Sequence, residues 1–137
     1  PPVTRMSIPY DTAYTPAAPV LGIRLAAPGE PPKTEPLSAL VDTGSDGTLI
    51  PSRYLEQVEA IDVGDAILHS LLGEAREIHL YEIDLYVGAL LLPGVIVVGD
   101  DQGAEVLLGR NVLNKLILLL DGQRSESELF EQRPQWR

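Results

Sequence analysis

Ala39-Leu40-Val41-Asp42-Thr43-Gly44-Ser45-Asp46-Gly47-Thr48-Leu49-Ile50-Pro51 runs an apolar strand straight into Asp-Thr-Gly. Leu40 and Val41 suit a pleated, buried setting. Gly44 and Gly47 let the backbone turn where a side chain would clash. One carboxylate, that of Asp42, is thereby delivered to the mouth of a tight turn by buried backbone, and burying a charge without partners is costly. Taken alone, the tripeptide also reads as an ordinary Asx turn after a strand. The rest of the chain has to separate the two readings.

Three other chemistries can be set aside from the same residues. Ser45-Asp46-Gly47-Thr48-Leu49 imitates part of a haloacid-dehalogenase phosphatase motif, but the nucleophilic Asp would have to stand at Gly44. A serine-hydrolase elbow needs Gly on both sides of the Ser; Gly47 fits and Thr43 does not. A phosphate-cradling loop needs Lys after its second Gly, where Thr48 stands.

A second segment, Val106-Leu107-Leu108-Gly109-Arg110-Asn111-Val112-Leu113, again passes from an apolar strand through Gly into a short helix. Together the two segments resemble the retropepsin-like aspartic proteases, and their bacterial and cellular members more than the retroviral ones. That family pairs an apolar-apolar-Asp-Thr/Ser-Gly-Ala/Ser turn with a later apolar-Gly-Arg-Asp/Asn-apolar-Leu segment. The resemblance runs from about Pro19 to Asp121. It implies an all-β fold with one or two short helices, a closed acid-protease barrel with one lobe per chain. The implied domain spans residues 20–131, with 1–19 as an N-terminal segment offering an interface strand and 132–137 as a frayed tail.

The implied activity is aspartic endopeptidase hydrolysis of peptide bonds in extended, mainly apolar segments of a peptide or protein substrate, with Asp42 catalytic and no cofactor or metal. Thr43 would hydrogen-bond across a dimer axis, and Gly44 would present its carbonyl to substrate. Asp46 and Arg110 would form a partly buried ion pair, with Thr48 and Asn111 bonding backbone nearby. Leu40, Ser45, Gly47, Leu49 and Leu107 would contact substrate. Ser70, Leu71, Leu72 and Gly73 would form the tip of a flap, which here holds a single glycine. A non-catalytic dimeric module of the same fold, binding peptide or protein, is the alternative.

Aspartic proteolysis needs two carboxylates sharing one proton, because like charges that close cannot both ionise. One then acts as base toward water and the other as acid toward the carbonyl oxygen and leaving amine. The chain holds no second Asp-Thr/Ser-Gly. A two-fold homodimer would supply it, since an isologous interface brings the same residue to the axis twice. The homodimer is therefore expected to be obligatory for catalysis.

Composition agrees with one small domain. A chain of 137 residues suffices for one core. Cysteine is absent, which rules out disulfides and thiolate metal sites. A formal charge of −10 argues against a nucleic-acid partner. The longest apolar run, Ala89 to Gly99, is broken by Pro93-Gly94 and too short for a membrane span, so no membrane partner is expected. No basic-then-apolar leader is visible, and a cytoplasmic location is favoured. His69 and His79 lack a third ligand nearby, and Asp100-Asp101 with Glu105 lacks the ordered spacing of a calcium cage.

The remaining chain reads mainly as strands: Arg5–Tyr10, Val20–Ala26, Leu37–Thr43, a long hairpin over Ala66–Val87, Leu91–Val98, Leu116–Leu120 and Ser125–Phe130. Tyr81, Ile83, Leu85 and Val87 alternate with Glu82, Asp84 and Tyr86, which marks the second arm of that hairpin. Leu91–Val98 and Leu116–Leu120 are apolar enough to be covered on both faces. Short helices are expected at Pro51–Ala60 and Asn111–Lys115.

Overall fold

In the computed structural model, which describes residues 5–69 and 73–135, the apolar periodicity resolves into ten strands and two short helices. In chain order these are β1 (Arg5–Pro9), β2 (Val20–Ala26), β3 (Leu37–Val41), β4 (Leu49–Pro51), α1 (Ser52–Val58), β5 (Ile61–His69), β6 (Ala75–Val87), β7 (Leu90–Asp100), β8 (Val106–Leu108), α2 (Arg110–Leu113), β9 (Ile117–Asp121) and β10 (Glu126–Phe130). The expected all-β fold class holds.

Six strands close into a barrel in the order β2-β3-β8-β4-β7-β6. Closure comes from β2, which pairs β3 through Val20–Ile23 and β6 through Ile23–Ala26. A closed ring leaves no edge among those strands. β5 continues outward from β6 as the second arm of a hairpin. The alternating residues Leu21, Ile23, Leu25, Ala39, Val41, Ile50, Ile83, Leu85, Val87, Val95, Val97, Val106 and Leu108 fill the barrel. Leu55 and Val58 of α1 and Val112 of α2 plug it, all buried. α1 ends at Glu59 in the left-handed conformation (φ 58).

Two parallel pairings position the site. β3 runs parallel to β8 (Ala39↔Val106 to Val41↔Leu108), and β4 runs parallel to β7 (Leu49↔Val98 to Pro51↔Asp100). Parallel strands cannot be joined by a tight turn. Chain-distant segments therefore meet at the carboxyl end of β3.

The terminal strands form a separate antiparallel sheet, β1-β10-β9, with Arg5 Nη1 bonded to Glu128 Oε1 at 3.2 Å. The strand β1, in the N-terminal segment expected to offer an interface strand, thus pairs with β10 inside one chain.

Several strand expectations need correction. The hairpin begins at Ile61 rather than Ala66, because its first arm carries a bulge that masks the alternation. β7 is covered on one face only: Val95 and Val97 are buried, whereas Leu91 and Ile96 are exposed. β9 is half-buried and Leu120 is exposed, so Leu116–Leu120 is not covered on both faces. The three-residue strands β4 and β8 were too short for periodicity to reveal in full.

Asp84 does not face solvent but is 5% exposed. Pro93 and Gly94 of β7 bulge opposite it, between the pairs Ile83↔Val95 and Leu85↔Leu92. Asp84 Oδ1 accepts the Gly94 N–H at 2.9 Å, and Oδ2 accepts the Gly29 N–H at 2.8 Å. Both glycines have positive φ (64° and 80°). One carboxylate therefore fastens the bulge to the β2–β3 loop. Charge-assisted bonds are worth about 1.5–3 kcal/mol each, and the abandoned donors lose their partner too. Asp84→Ala is expected to destabilise by about 3 kcal/mol in urea unfolding, and Asp84→Asn by about half as much. A loss below about 1 kcal/mol for the Ala variant would show that the staple does not form.

Candidate active site

The turn after β3 is held by the segment after β8, backbone to backbone. Asp42 N–H donates to Leu108 O at 3.0 Å, Arg110 N–H to Ser45 O at 2.8 Å and Asn111 N–H to Asp46 O at 3.3 Å. Thr48, fully buried, sits between them. Its Oγ1 accepts the Gly109 N–H at 3.1 Å and donates to Asn111 Oδ1 at 2.8 Å. Asn111 Nδ2 in turn donates to Ile96 O at 2.9 Å. Within the turn, Gly44 N–H donates to Asp42 Oδ1 at 3.1 Å and Ser45 Oγ donates to Gly47 O at 2.8 Å. Asp42 is half-buried, and Thr43 and Gly44 are exposed.

Arg110 ties the turn down a second way. Its Nη1 donates to Thr43 O at 2.7 Å, and its Nη2 pairs with Asp46 Oδ1. The expected ion pair therefore forms, but it is not buried: the Asp46 side chain is 91% and that of Arg110 44% exposed. An exposed pair is worth about 0–1 kcal/mol. Arg110 matters for where it holds the Thr43 carbonyl, not for global stability.

Leu40, Leu107 and Leu49 lie side by side across β3, β8 and β4 (Leu40↔Leu107, Leu49↔Leu107). Their strand neighbours Ala39, Val41, Val106, Leu108 and Ile50 are buried, while these three are half-buried. Alternation thus turns the leucines away from the barrel interior. The three leucines expected to contact substrate share one face.

A cleft of 430 Å³ opens between the turn and the hairpin. Gly44, Ser45, Asp46, Gly47 and Leu49 line one wall; Arg76 and Ile78 of β6 and Val98, Gly99 and Asp100 of β7 line the other. Asp42 is not among the lining residues. A larger hollow of 590 Å³ lies further out, between Asp65–Ile67 and Ala75–Glu77. Its lining includes no residue of the Asp turn, whereas residues 44–47 of that turn line the smaller cleft.

Sequence reasoning missed the β6 and β7 wall. One signal was available: Gly99, an isolated glycine in an apolar strand, marks a close approach. A Cβ there would lie 2.8 Å from Tyr81 Cε2 and 3.4 Å from Leu55 Cδ1. Of the expected flap tip, Ser70, Leu71 and Leu72 lie outside the described residues. Gly73 follows them with φ 83° and leads into β6.

The hairpin base carries its own polar clamp. Asp62 faces Tyr81 and Gly64 faces Leu80, so Val63 is an extra residue in β5. That bulge shifts the strand's phase, and Asp62 and Asp65, three apart, come to one face. His79 lies between them: Nε2 is 2.7 Å from Asp62 Oδ2, and Nδ1 contacts Asp65 Oδ1. Its ring packs on Tyr81 at 5.0 Å between centroids. Hydrogen bonding to Asp62 raises the His79 pKa, and the same bond lowers that of Asp62.

The signs set a pH window for the clamp. A raised His79 pKa gives stabilisation that is complete below the ordinary value of 6.5 and is lost as pH rises through the folded value. A lowered Asp62 pKa gives stabilisation that is complete above 3.8 and is lost as pH falls through its folded value. Amide exchange across β5 and β6, corrected for intrinsic rates, should accelerate as pH rises past the His79 titration. A His79 proton resonance titrating at the ordinary histidine value would contradict the clamp.

No protein-family model and no curated protein sequence matches the chain. Solved structures do. A retropepsin-like aspartic protease from Rickettsia conorii superposes with a TM-score of 0.63 at 11% identity, covering 94% of this chain and 92% of that one. The EIAV protease, complexed with an inhibitor, gives 0.53 at 15% identity over 72% of this chain and 86% of its own. The retroviral protease-like domain of Ddi1 from Leishmania major gives 0.52 at 15% identity, covering 77% and 82%.

Proposed function

On the retropepsin-like fold shared with those three structures, we propose that this chain is an aspartic endopeptidase working as a homodimer, with Asp42 of each subunit at the two-fold axis. The observation that carries the reading is the position of Asp42. It is half-buried at the head of a turn braced by the residues after β8. Among the described residues its carboxylate has one hydrogen-bond partner, the Gly44 N–H, and no second carboxylate. The site is thus half of a pair.

In the dimer, the two Asp42 carboxylates share a proton, because like charges that close cannot both ionise. The ionised one draws a proton from water, which attacks the peptide carbonyl. The protonated one delivers its proton to the carbonyl oxygen, and the leaving amine is protonated as the intermediate collapses. Thr43 and Gly44 are both exposed at the head of the turn; on this reading Thr43 meets the partner turn and Gly44 the substrate backbone. The half-buried Leu40, Leu49 and Leu107 offer apolar surface to substrate side chains.

The test has two arms. Sizing at micromolar concentration should find a dimer, and cleavage of apolar peptides between pH 3 and 8 should disappear in Asp42→Asn. Equal cleavage by both forms overturns the mechanism. Peptide binding without cleavage by either form would identify a dimeric binding module instead.

Described residues contain no helix long and apolar enough to cross a membrane.

A further inference from the structure

Resting on that protease reading, we propose that Arg76 sets a substrate preference: it takes an acidic side chain of the peptide at a subsite next to an apolar one.

The chain is short of cations, with 10 Lys and Arg against 20 Asp and Glu. Most described cations are engaged. Arg5 pairs with Glu128, Lys33 with Glu59, Arg110 with Asp46 and Arg124 with Asp121. Arg24 donates to Thr34 O, and Arg53 stacks on Tyr54 at 4.5 Å. The Arg76 side chain has no ion pair or hydrogen bond among the described residues. It is exposed on β6 and lines the 430 Å³ cleft across from the Asp turn.

The other charges on that cleft are already engaged. Asp46 is bound by Arg110. Asp100 Oδ1 accepts the Gln102 and Gly103 N–H groups at 3.1 and 2.9 Å. Beyond Arg76, in the adjoining hollow, Asp65 is bound to His79 and Asp101 to Ser52, and the exposed Glu77 beside Arg76 lines the same hollow. Hydrogen bonds satisfy Asp100 without cancelling its charge, and Arg76 is the cation among the residues that line the cleft. Leu49, Ile78 and Val98 supply apolar wall beside it. A guanidinium offers a planar fork that matches a carboxylate and no acceptor for a cationic side chain. Elsewhere the cleft is acidic, so an acidic substrate residue is tolerated at this subsite and repelled at its neighbours. Both partners are exposed, and the preference is correspondingly modest and salt-sensitive.

A matched peptide set tests this: one apolar sequence with Glu, Gln or Lys scanned through each position flanking the scissile bond. Cleavage is read as kcat/KM, and binding by fluorescence anisotropy on the Asp42→Asn protein. With Arg76 present, one position should favour Glu over Gln by about 3–5-fold, with Lys poorest, and the ratio should shrink in high salt. Arg76→Gln should abolish the ratio and Arg76→Glu should turn it toward Lys, in cleavage and binding alike. Cleavage with no acidic preference at any position, or a preference that survives Arg76→Glu, overturns the proposal and leaves the protease reading intact. Binding whose charge preference follows residue 76, in a protein that cleaves nothing, supports the proposal and removes the protease reading. Neither cleavage nor binding of any peptide overturns both.

Discussion

Asp42→Asn is expected to lower peptide cleavage by about 10³-fold or more while leaving the fold and the dimer in place. The two side chains are the same shape, and Asn retains an oxygen to accept the Gly44 N–H that Asp42 Oδ1 accepts at 3.1 Å. What disappears is the shared proton. An amide pair can neither take a proton from water nor hold one for the carbonyl oxygen. Sizing and thermal unfolding of the variant should match the parent. Mixed dimers sharpen the test. If each active site needs both carboxylates, adding excess Asp42→Asn subunits to the active protein should titrate activity away as heterodimers form. Activity that falls only in proportion to dilution would show that one Asp42 suffices, and the two-carboxylate mechanism would be wrong.

Gly109→Ala should produce the largest structural loss, about 3–5 kcal/mol, or roughly 10 °C in Tm. Backbone conformation is not the reason: at φ −91° and ψ −177° Gly109 is extended, which any residue adopts. Space is the reason. A Cβ there would run into the Gly47 carbonyl and lie 2.9 Å from Ser45 O, and both obstacles are backbone. The turn would have to move off β8. That breaks the Gly109–Thr48 bond and strains the Arg110–Ser45 and Asn111–Asp46 bonds that orient Asp42. Cleavage should therefore fall more steeply than folded fraction. Gly22→Ala, where nothing lies within 4 Å of the added Cβ, is the control and should stay within about 1 kcal/mol. Parent-like melting and activity for Gly109→Ala would mean that the turn and β8 are not in contact.

Legibility differed between local and non-local features for a physical reason. The Asp turn and the Gly109-Arg110-Asn111 segment were both readable because strand, turn and helix signals are written within a few residues of themselves. Their contact was inferred only through a resemblance. The burial of Asp84 was not legible because alternation sees one strand at a time, whereas it depends on a bulge in β7 and a glycine loop after β2. The His79 clamp was invisible for a related reason. A single inserted residue in β5 moves Asp62 and Asp65 to one face, and no period-two reading survives an insertion.

By itself, then, the order of residues determined an all-β chain with one Asp-Thr-Gly turn and no second, hence a site requiring two copies of Asp42 if it is catalytic. That much depends on local backbone preference and on counting. Tertiary structure alone decided which segments share the cleft: the parallel pairs β3 with β8 and β4 with β7 join stretches tens of residues apart. Barrel closure then sets the hairpin, and Arg76 with it, opposite the turn. Such neighbours are chosen by which apolar faces can be buried together, a property of the whole core rather than of any one stretch.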